Sequence, residues 1–445
     1  MRHLGAPDCV PTARRITPAG HGLSVRHGTG RPDGTKSTIR SGFPPLPKPG
    51  NPVRLPASLA AMIAAHDIHT PTKVHMKLQM KVRTMAMAVT ATVLATAVQA
   101  QIKIGLVIPA SGPLTQYGTM IQEGVGTAVE QVNAAGGING QQVQTVVFDD
   151  ACNPGKAPGT ANRLLDAKVR YVIGPVCSGA AIAAAPIYDS QRVVVVTPSA
   201  TSPSLTSGMD YHYIFRTIGQ DNEQGEAAAK FIMEKIKPRK IALLHDKQSY
   251  GRGIANTARK LLSRAGAEVA LYEGITPGGK DYSDVIARIK NAGIDFVYFG
   301  GYHNEMGVLL RQAKEAGLNA RMMGPEGVGN SEINAIAGPA VEGMLVTLPA
   351  DFAANPKNAA TVKAFEAKKR NASSAFGLTS YAAAQVIMDS IKAVGDDTQL
   401  VADYMHKTTF QTPLGPTSWD AGGDLKSFEF QVFEWHQDGS KTVVK

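Results

Sequence analysis

Five short segments of this 445-residue chain combine hydroxyl, acid and aromatic side chains at spacings that could hold a small charged molecule. Pro175-Val176-Cys177-Ser178-Gly179 and Thr197-Pro198-Ser199-Ala200-Thr201 each set a hydroxyl among backbone N–H groups near a helix start, a receptor suited to a carboxylate. Asp246-Lys247-Gln248-Ser249-Tyr250-Gly251 and Gly300-Gly301-Tyr302 bring aromatic rings to equivalent loops, and Met323-Gly324-Pro325-Glu326-Gly327 brings an acid. Taken singly, Ser178 and Thr201 read as helix caps and Glu326 as a solvated loop acid. Taken together they supply donors for an anion, an acid for a cation, and apolar walls.

Catalytic signatures are missing from the same stretch. Residues 101–445 contain no G-x-S-x-G elbow and no H-E-x-x-H. The nearest approach to a phosphate loop is Gly274-x4-Gly279-Lys280, where Asp281 stands in place of the Ser or Thr that would hold magnesium. His212, His245, His303, His406 and His436 are scattered without ligand spacing. His245 follows a strand and His303 falls in a loop, so both read as structural. No cofactor or metal is expected, and no enzyme.

The elements that must carry these loops alternate regularly. Strands are expected at 102–108, 143–148, 171–174 and 193–197, with helices at 120–135, 157–167 and 180–188 between them. After Arg216-Thr217-Ile218-Gly219 the rhythm restarts. Helices at 222–235, 251–265, 282–292 and 304–316 interleave with strands at 241–245, 268–274, 296–299, 321–324 and 343–348. The unbroken apolar run at 193–197 suits a parallel strand covered on both faces. Two serial sets of this kind predict an α/β protein with two open, doubly wound parallel sheets, whose ligands bind beyond the carboxyl ends of the strands. Helices at 361–369 and 381–394 and an aromatic-rich pair, 428–433 and 434–436, complete one or both lobes.

Composition narrows the partners. With 43% apolar and 18% charged residues and a mean hydropathy of −0.09, the chain is neither disordered nor a multispan membrane protein. Its net charge of +10 suggests nucleic acid until the charges are located. The first hundred residues hold thirteen Lys and Arg against three acids, which leaves 33 of each sign in residues 101–445. That remainder has no electrostatic footprint for DNA, RNA or anionic lipid.

Residues 76–100 read as a secretory signal peptide, with a basic start at Lys77–Arg83, an apolar run near 85–98, and small residues at Val98-Gln99-Ala100 before a cut at Gln101. The proline-rich stretch 1–75 is then most simply an upstream extension that is not native, disordered if it is made. The export route implies the periplasm. Removing 1–100 also removes Cys9 and leaves Cys152 and Cys177. An even pair in an exported chain, with one acid nearby, reads as a disulfide rather than a metal site.

Residues 101–445 closely resemble the periplasmic leucine/isoleucine/valine-binding proteins of branched-chain amino-acid ABC transporters. The likeness is carried by Ser111-Gly112-Pro113, Asp149-Asp150-Ala151-Cys152, Tyr171-Val172-Ile173-Gly174, His245-Asp246-Lys247-Gln248, Asp295-Phe296-Val297-Tyr298, Gly300-Gly301-Tyr302, 323–330 and 342–347. It implies a type I periplasmic binding fold: two Rossmann-like lobes, 101–219 with 351–428 and 220–350 with 429–445, joined by a three-strand hinge. It also implies the Cys152–Cys177 disulfide. By the same resemblance, Ser178 and the Thr201 N–H bind an α-carboxylate, while Glu326, the Thr201 hydroxyl and the Ser199 carbonyl take the α-ammonium. Tyr117, Val176, Tyr250, Tyr302 and Phe376 surround the side chain. The sequence departs from the family at Pro175, Gly179 and Asn304, none of which carries a polar ligand contact.

The implied function is capture of Leu, Ile or Val by closure of the lobes and delivery to an inner-membrane permease, by a monomer. Loss of Glu326 would leave the ammonium buried and unpaired, at roughly 3–5 kcal/mol. Burial of the tail adds about 1.5–3 kcal/mol. One methylene is worth only about 1–3 kcal/mol, so the three branched side chains should all be accepted, and Tyr117 in place of a bulkier Trp favours that breadth. A sensor subunit binding an amide would keep the fold, but an amide lacks the ammonium that Glu326 awaits. An exported enzyme lacks a nucleophile–base pair, and a DNA-binding regulator is excluded by the signal peptide and the neutral mature charge.

Overall fold

The computed structural model describes residues 101–444; the expected signal peptide at 76–100 and the extension at 1–75 lie outside the described residues. Strand β1 (Ile102–Ile108) buries every residue except Lys103, as a strand covered by helices on both faces must. It is followed by α1 (Thr115–Ala134), β2 (Val143–Asp149), α2 (Ala157–Asp166), β3 (Tyr171–Ile173), α3 (Ser178–Ser190), β4 (Val194–Thr197) and β5 (Ile214–Arg216). These strands pair in parallel in the order β2-β1-β3-β4-β5. Winding reverses between β1 and β3, and the loops leaving the carboxyl ends of β3 and β4 carry Ser178 and Thr201. Gly174 makes the first of those loops possible. Its φ of +114° is one that L side chains rarely adopt, and a Cβ there would lie 2.2 Å from the Val107 carbonyl oxygen.

The second lobe repeats the plan with α4 (Asp221–Phe231), β6 (Ile241–His245), α5 (Ser249–Arg264), β7 (Val269–Gly274), α6 (Ser283–Asn291), β8 (Phe296–Gly300), α7 (His303–Glu315), β9 (Arg321–Gly324), α8 (Ile333–Ala337) and β10 (Met344–Pro349). The chain then returns to the first lobe as α9 (Ala359–Glu366), α10 (Gly377–Val394), α11 (Thr398–Lys407) and a small hairpin, β11 (Phe410–Thr412) with β12 (Gly415–Thr417). Helix α10 packs on α1 at a point where only glycine fits, since a Cβ on Gly124 would lie 2.3 Å from the Gly377 carbonyl oxygen. A last crossing brings β13 (Phe430–Trp435) and β14 (Lys441–Val443) onto the second sheet, in the order β14-β13-β10-β9-β8-β6-β7.

Several features depart from expectation. The second sheet is mixed, because the segment at 428–436 forms one strand rather than a pair, and β13 runs antiparallel to β10 with Val346 opposite Phe433. A chain coming back from the first lobe reaches the open edge of β10 from the opposite direction, so antiparallel pairing is the short route. Strand β5 was not anticipated, since three residues are too few to show a period. Nor was α11, although Asp397 caps it by accepting the Gln399 and Leu400 N–H groups at 2.9 and 3.0 Å.

The crossings are tied together by a wholly buried arginine. Arg216, at the end of β5, pairs through Nε with Asp424 Oδ1 at 2.5 Å in the third crossing. Its Nη1 donates to the Ala200 carbonyl at 2.8 Å and its Nη2 to Thr206 Oγ1 at 2.7 Å. Burial lowers the Arg216 pKa and raises that of Asp424, each opposed by attraction to the other. Removing one partner leaves the other charge uncompensated. Arg216→Met should therefore lower the unfolding free energy by roughly 3–5 kcal/mol in urea titrations, whereas a loss under about 1 kcal/mol would mark the pair as no better than a surface one.

Candidate functional site

The loops at the carboxyl ends of β3 and β4 are stitched to each other before they meet anything else. Thr197 Oγ1 donates to the Pro175 carbonyl at 2.9 Å and accepts the Ala200 N–H at 3.0 Å. Ser199 Oγ donates to the Val176 carbonyl at 3.0 Å, and the Ser202 N–H donates to Ser178 Oγ at 3.2 Å. Cys177 is bonded to Cys152, which fixes the start of α3 to the loop after β2 with their Cα atoms 5.3 Å apart. Ser178 opens α3, so its first-turn N–H groups have no carbonyl within the helix to meet and carry the positive end of the helix dipole. This wall can receive an anion.

Glu326 faces it from the second lobe. It lies just after β9 on a short turn, 2% exposed, and α4 holds it through Gln224. The Gln224 amide nitrogen donates to the Glu326 carboxylate, and its Oε1 accepts the Glu326 N–H at 3.2 Å and the Thr347 hydroxyl at 3.1 Å. Thr201 Oγ1 reaches across from the first lobe to Glu326 Oε1 at 3.3 Å. Beside it stands Asp221, the first residue of α4, fully buried and with neither carboxylate oxygen hydrogen-bonded. Its own N–H donates to the Thr201 carbonyl at 3.0 Å. Burial pushes both carboxyls above their ordinary range; the Glu326 charge raises Asp221 further, while hydrogen bonds from Gln224, Tyr250 and Thr201 pull Glu326 part of the way back. Two acids sunk in protein favour a cation.

Aromatic rings close the remaining sides. Tyr117 stands 5.7 Å from Phe376 and 6.2 Å from Tyr302, and Tyr302 is 5.3 Å from Tyr250, centroid to centroid. Tyr117 Oη donates to the Gly327 carbonyl at 2.6 Å, and the Gly327 N–H donates to Tyr250 Oη at 3.0 Å. The lobes therefore touch directly, and the cleft is shut. Tyr117, Val176, Ser178, Ser199, Tyr250, Tyr302, Glu326 and Phe376, with Gly327, line one small hollow. Thr201 stands at its edge through the bond to Glu326. A larger hollow near the crossings, bordered by Phe352, Ser374 and Lys441, has no acid pair of this kind.

All nine sequence-predicted residues are thus gathered in one place. Three further residues were not foreseen: Asp221, Gln224 and His303. Asp221 and Gln224 sit in the first turns of α4, where Gln220 and Glu223 form a capping box, so their polarity passes for helix-start chemistry. His303, expected in a loop, is the first residue of α7, fully buried, with Nδ1 3.0 Å from Tyr117 Oη. Among the described residues, no cluster of His, Cys, Asp and Glu is arranged to hold a metal ion.

A fold of two doubly wound lobes closed over a pocket with an anion wall, a cation wall and aromatic sides defines a solute-binding protein. The chain belongs to the periplasmic binding protein family, which matches residues 101–440, and is a binding protein rather than an enzyme. It is 52% identical over 345 residues to the leucine-, isoleucine-, valine-, threonine- and alanine-binding protein of Pseudomonas aeruginosa, covering 77% of this chain and 92% of that one. It is 45% identical over 349 residues to the Leu/Ile/Val-binding protein of Escherichia coli K12, covering 78% and 95%. Among solved structures it is similar to the branched-chain amino acid transporter substrate binding protein of Streptococcus pneumoniae in complex with isoleucine, at 28% identity and a TM-score of 0.71, covering 78% of this chain and 100% of that one.

The unpartnered Asp221 should weaken the ligand-free fold. Its folded-state pKa lies above its unfolded value, so ionisation opposes folding at neutral pH, and the penalty fades as pH falls toward the unfolded pKa. Asp221→Asn should raise the unfolding free energy of the ligand-free protein by roughly 1–3 kcal/mol at pH 7, with the gain shrinking as pH falls to about 4. An equal gain at both pH values would show that charge is not the cause.

Proposed function

We propose that this protein is the periplasmic receptor of a branched-chain amino-acid importer, binding Leu, Ile and Val. The observation that carries the reading is the pair of buried acids, Glu326 and Asp221, facing the Ser178 and Thr201 wall across a hollow with aromatic sides. A free amino acid is a zwitterion, and enclosing it requires both of its charges to be met by protein groups. The α-carboxylate takes the Ser178 hydroxyl, the N–H groups at the start of α3 and the Thr201 N–H. The α-ammonium takes Glu326, the Thr201 hydroxyl, the Ser199 carbonyl and Asp221. Tyr117, Val176, Tyr250, Tyr302 and Phe376 then shed water from the aliphatic tail. The names of the relatives from P. aeruginosa and E. coli support this ligand class.

Binding and closure are one event. The carboxylate wall belongs to 101–219 with 351–428, and Glu326 to 220–350 with 429–445, so the ligand bonds to both lobes only when they meet. It stabilises the shut form by its differential affinity, and an inner-membrane ABC permease reads that form. Export through a signal peptide at 76–100, cut before Gln101, brings a monomer to the periplasm.

Calorimetric titration of the refolded 101–445 chain with the twenty amino acids tests the reading. Heat with Leu, Ile and Val and none with Asp, Glu, Lys or Arg is expected; no heat with the three branched ligands would end it. Glu326→Ala should weaken leucine binding at least tenfold, about 1.4 kcal/mol. Because the ammonium favours ionised acids, the wild-type affinity should fall as pH drops from 8 to 5, with proton release on binding. An affinity flat across that range would remove the two acids from the ammonium site.

A further inference from the structure

His303 has no place in the pocket lining, yet it is joined to the residue that closes it. The chain of contacts runs Gly327 carbonyl, Tyr117 hydroxyl, His303 imidazole, Glu332 carboxylate, with spacings of 2.6, 3.0 and 3.1 Å. Tyr117 comes from the first lobe and the other three from the second. Counting protons decides who donates. A carbonyl oxygen has none, so the 2.6 Å contact needs the single phenol proton between Tyr117 Oη and Gly327. With that proton spent, the Tyr117–His303 contact is a hydrogen bond when His303 carries its proton on Nδ1.

The fourth group takes no proton from a neutral ring. Burial, together with the positive end of α7, disfavours an imidazolium, and the His303 pKa is lowered to about 4. The Nε2–Glu332 contact is therefore not an ion pair, and Glu332, about half exposed, can turn to water. Burial raises the Tyr117 pKa well above its ordinary value and the charges of Glu326, Glu305 and Glu332 raise it further, so the phenol keeps its proton. Neither ring has a proton to gain or lose near neutrality.

We propose that His303 is a positioning residue for a latch between the lobes: its Nδ1–H fixes the Tyr117 hydroxyl so that it bonds the Gly327 carbonyl, a contact that exists only in the shut cleft and slows release of the bound amino acid. The latch rests on the amino-acid-binding reading above, and it acts on opening rather than on capture. The carbonyl it grips belongs to the residue following Glu326, so the same bond also steadies the ammonium site. Gly327 can take no side chain there, since a Cβ would lie 2.6 Å from the Gly301 carbonyl oxygen.

Stopped-flow measurement of leucine association and release at pH 7 tests this. Tyr117→Phe and His303→Leu should each speed release about tenfold with association changed less than twofold, and the double variant should be no faster than either. His303→Asn, whose amide nitrogen can occupy the Nδ1 position, should bring release back to within about threefold of wild type. Glu332→Ala should change nothing. Multiplying effects in the double variant, no rescue by Asn, or a Glu332→Ala effect as large as that of His303→Leu would each overturn the latch. If the wild type does not bind leucine, the importer reading fails separately. Small-angle scattering then judges the latch: Tyr117→Phe should expand the particle, and identical curves would overturn it.

Discussion

A carboxylate removed from water must find a proton, a cation or several hydrogen-bond donors, and the centre of this molecule is arranged around that requirement. Glu326 meets it with donors drawn from two places, Gln224 on α4 and Thr201 beyond β4. Asp221 has no donor on either oxygen, and burial pushes its pKa up so that it meets the requirement by holding a proton. The difference separates a residue held ready from one held at a cost. A pocket that satisfied both acids internally would be more stable empty and would have less to gain from an ammonium. Under the proposed function, stability forgone at Asp221 is what an ammonium would recover.

The same requirement governs the crossings. Arg216 is buried as deeply as Asp221, but its guanidinium is met by Asp424 and by the carbonyl of Ala200. Those contacts pin the segment on either side of Thr201 to the third crossing. The Thr201 hydroxyl that reaches Glu326 therefore stands on a backbone held from behind by the arginine. The loops after β3 and β4 are bonded to one another within the first lobe, Thr197 Oγ1 to the Pro175 carbonyl and Ser199 Oγ to the Val176 carbonyl.

Much of the architecture was legible in the chain because its signals are local. Largely apolar runs at 102–108 and 241–245 match β1 and β6 residue for residue, since a strand buried on both faces needs little beyond hydrophobicity. The failures were of two kinds. Strand β5 and the hairpin β11–β12 are too short for periodicity to register. Strand β13 was visible as an aromatic run but not in its pairing, because its direction depends on where the chain re-enters the second sheet. In the site, the glycine-rich and hydroxyl-bearing loops at 175–179, 197–201 and 323–327 announced themselves by composition and by following strands.

The sequence by itself determined that two α/β lobes form, that their strand-end loops carry donors, an acid and aromatic rings, and that two cysteines are available to bond. Those properties follow from the order of residues along a few turns or one strand. Only the tertiary structure decided partnership. Gln224 lies 102 residues from Glu326, Thr201 lies 125 from it, and Tyr117 lies 186 from His303. Hydrogen bonds reach about 3 Å, and no pattern within a strand or helix reports which distant side chain will stand that close. Asp221 and His303 look ordinary in the chain because what makes them consequential is the absence of water and the identity of their neighbours.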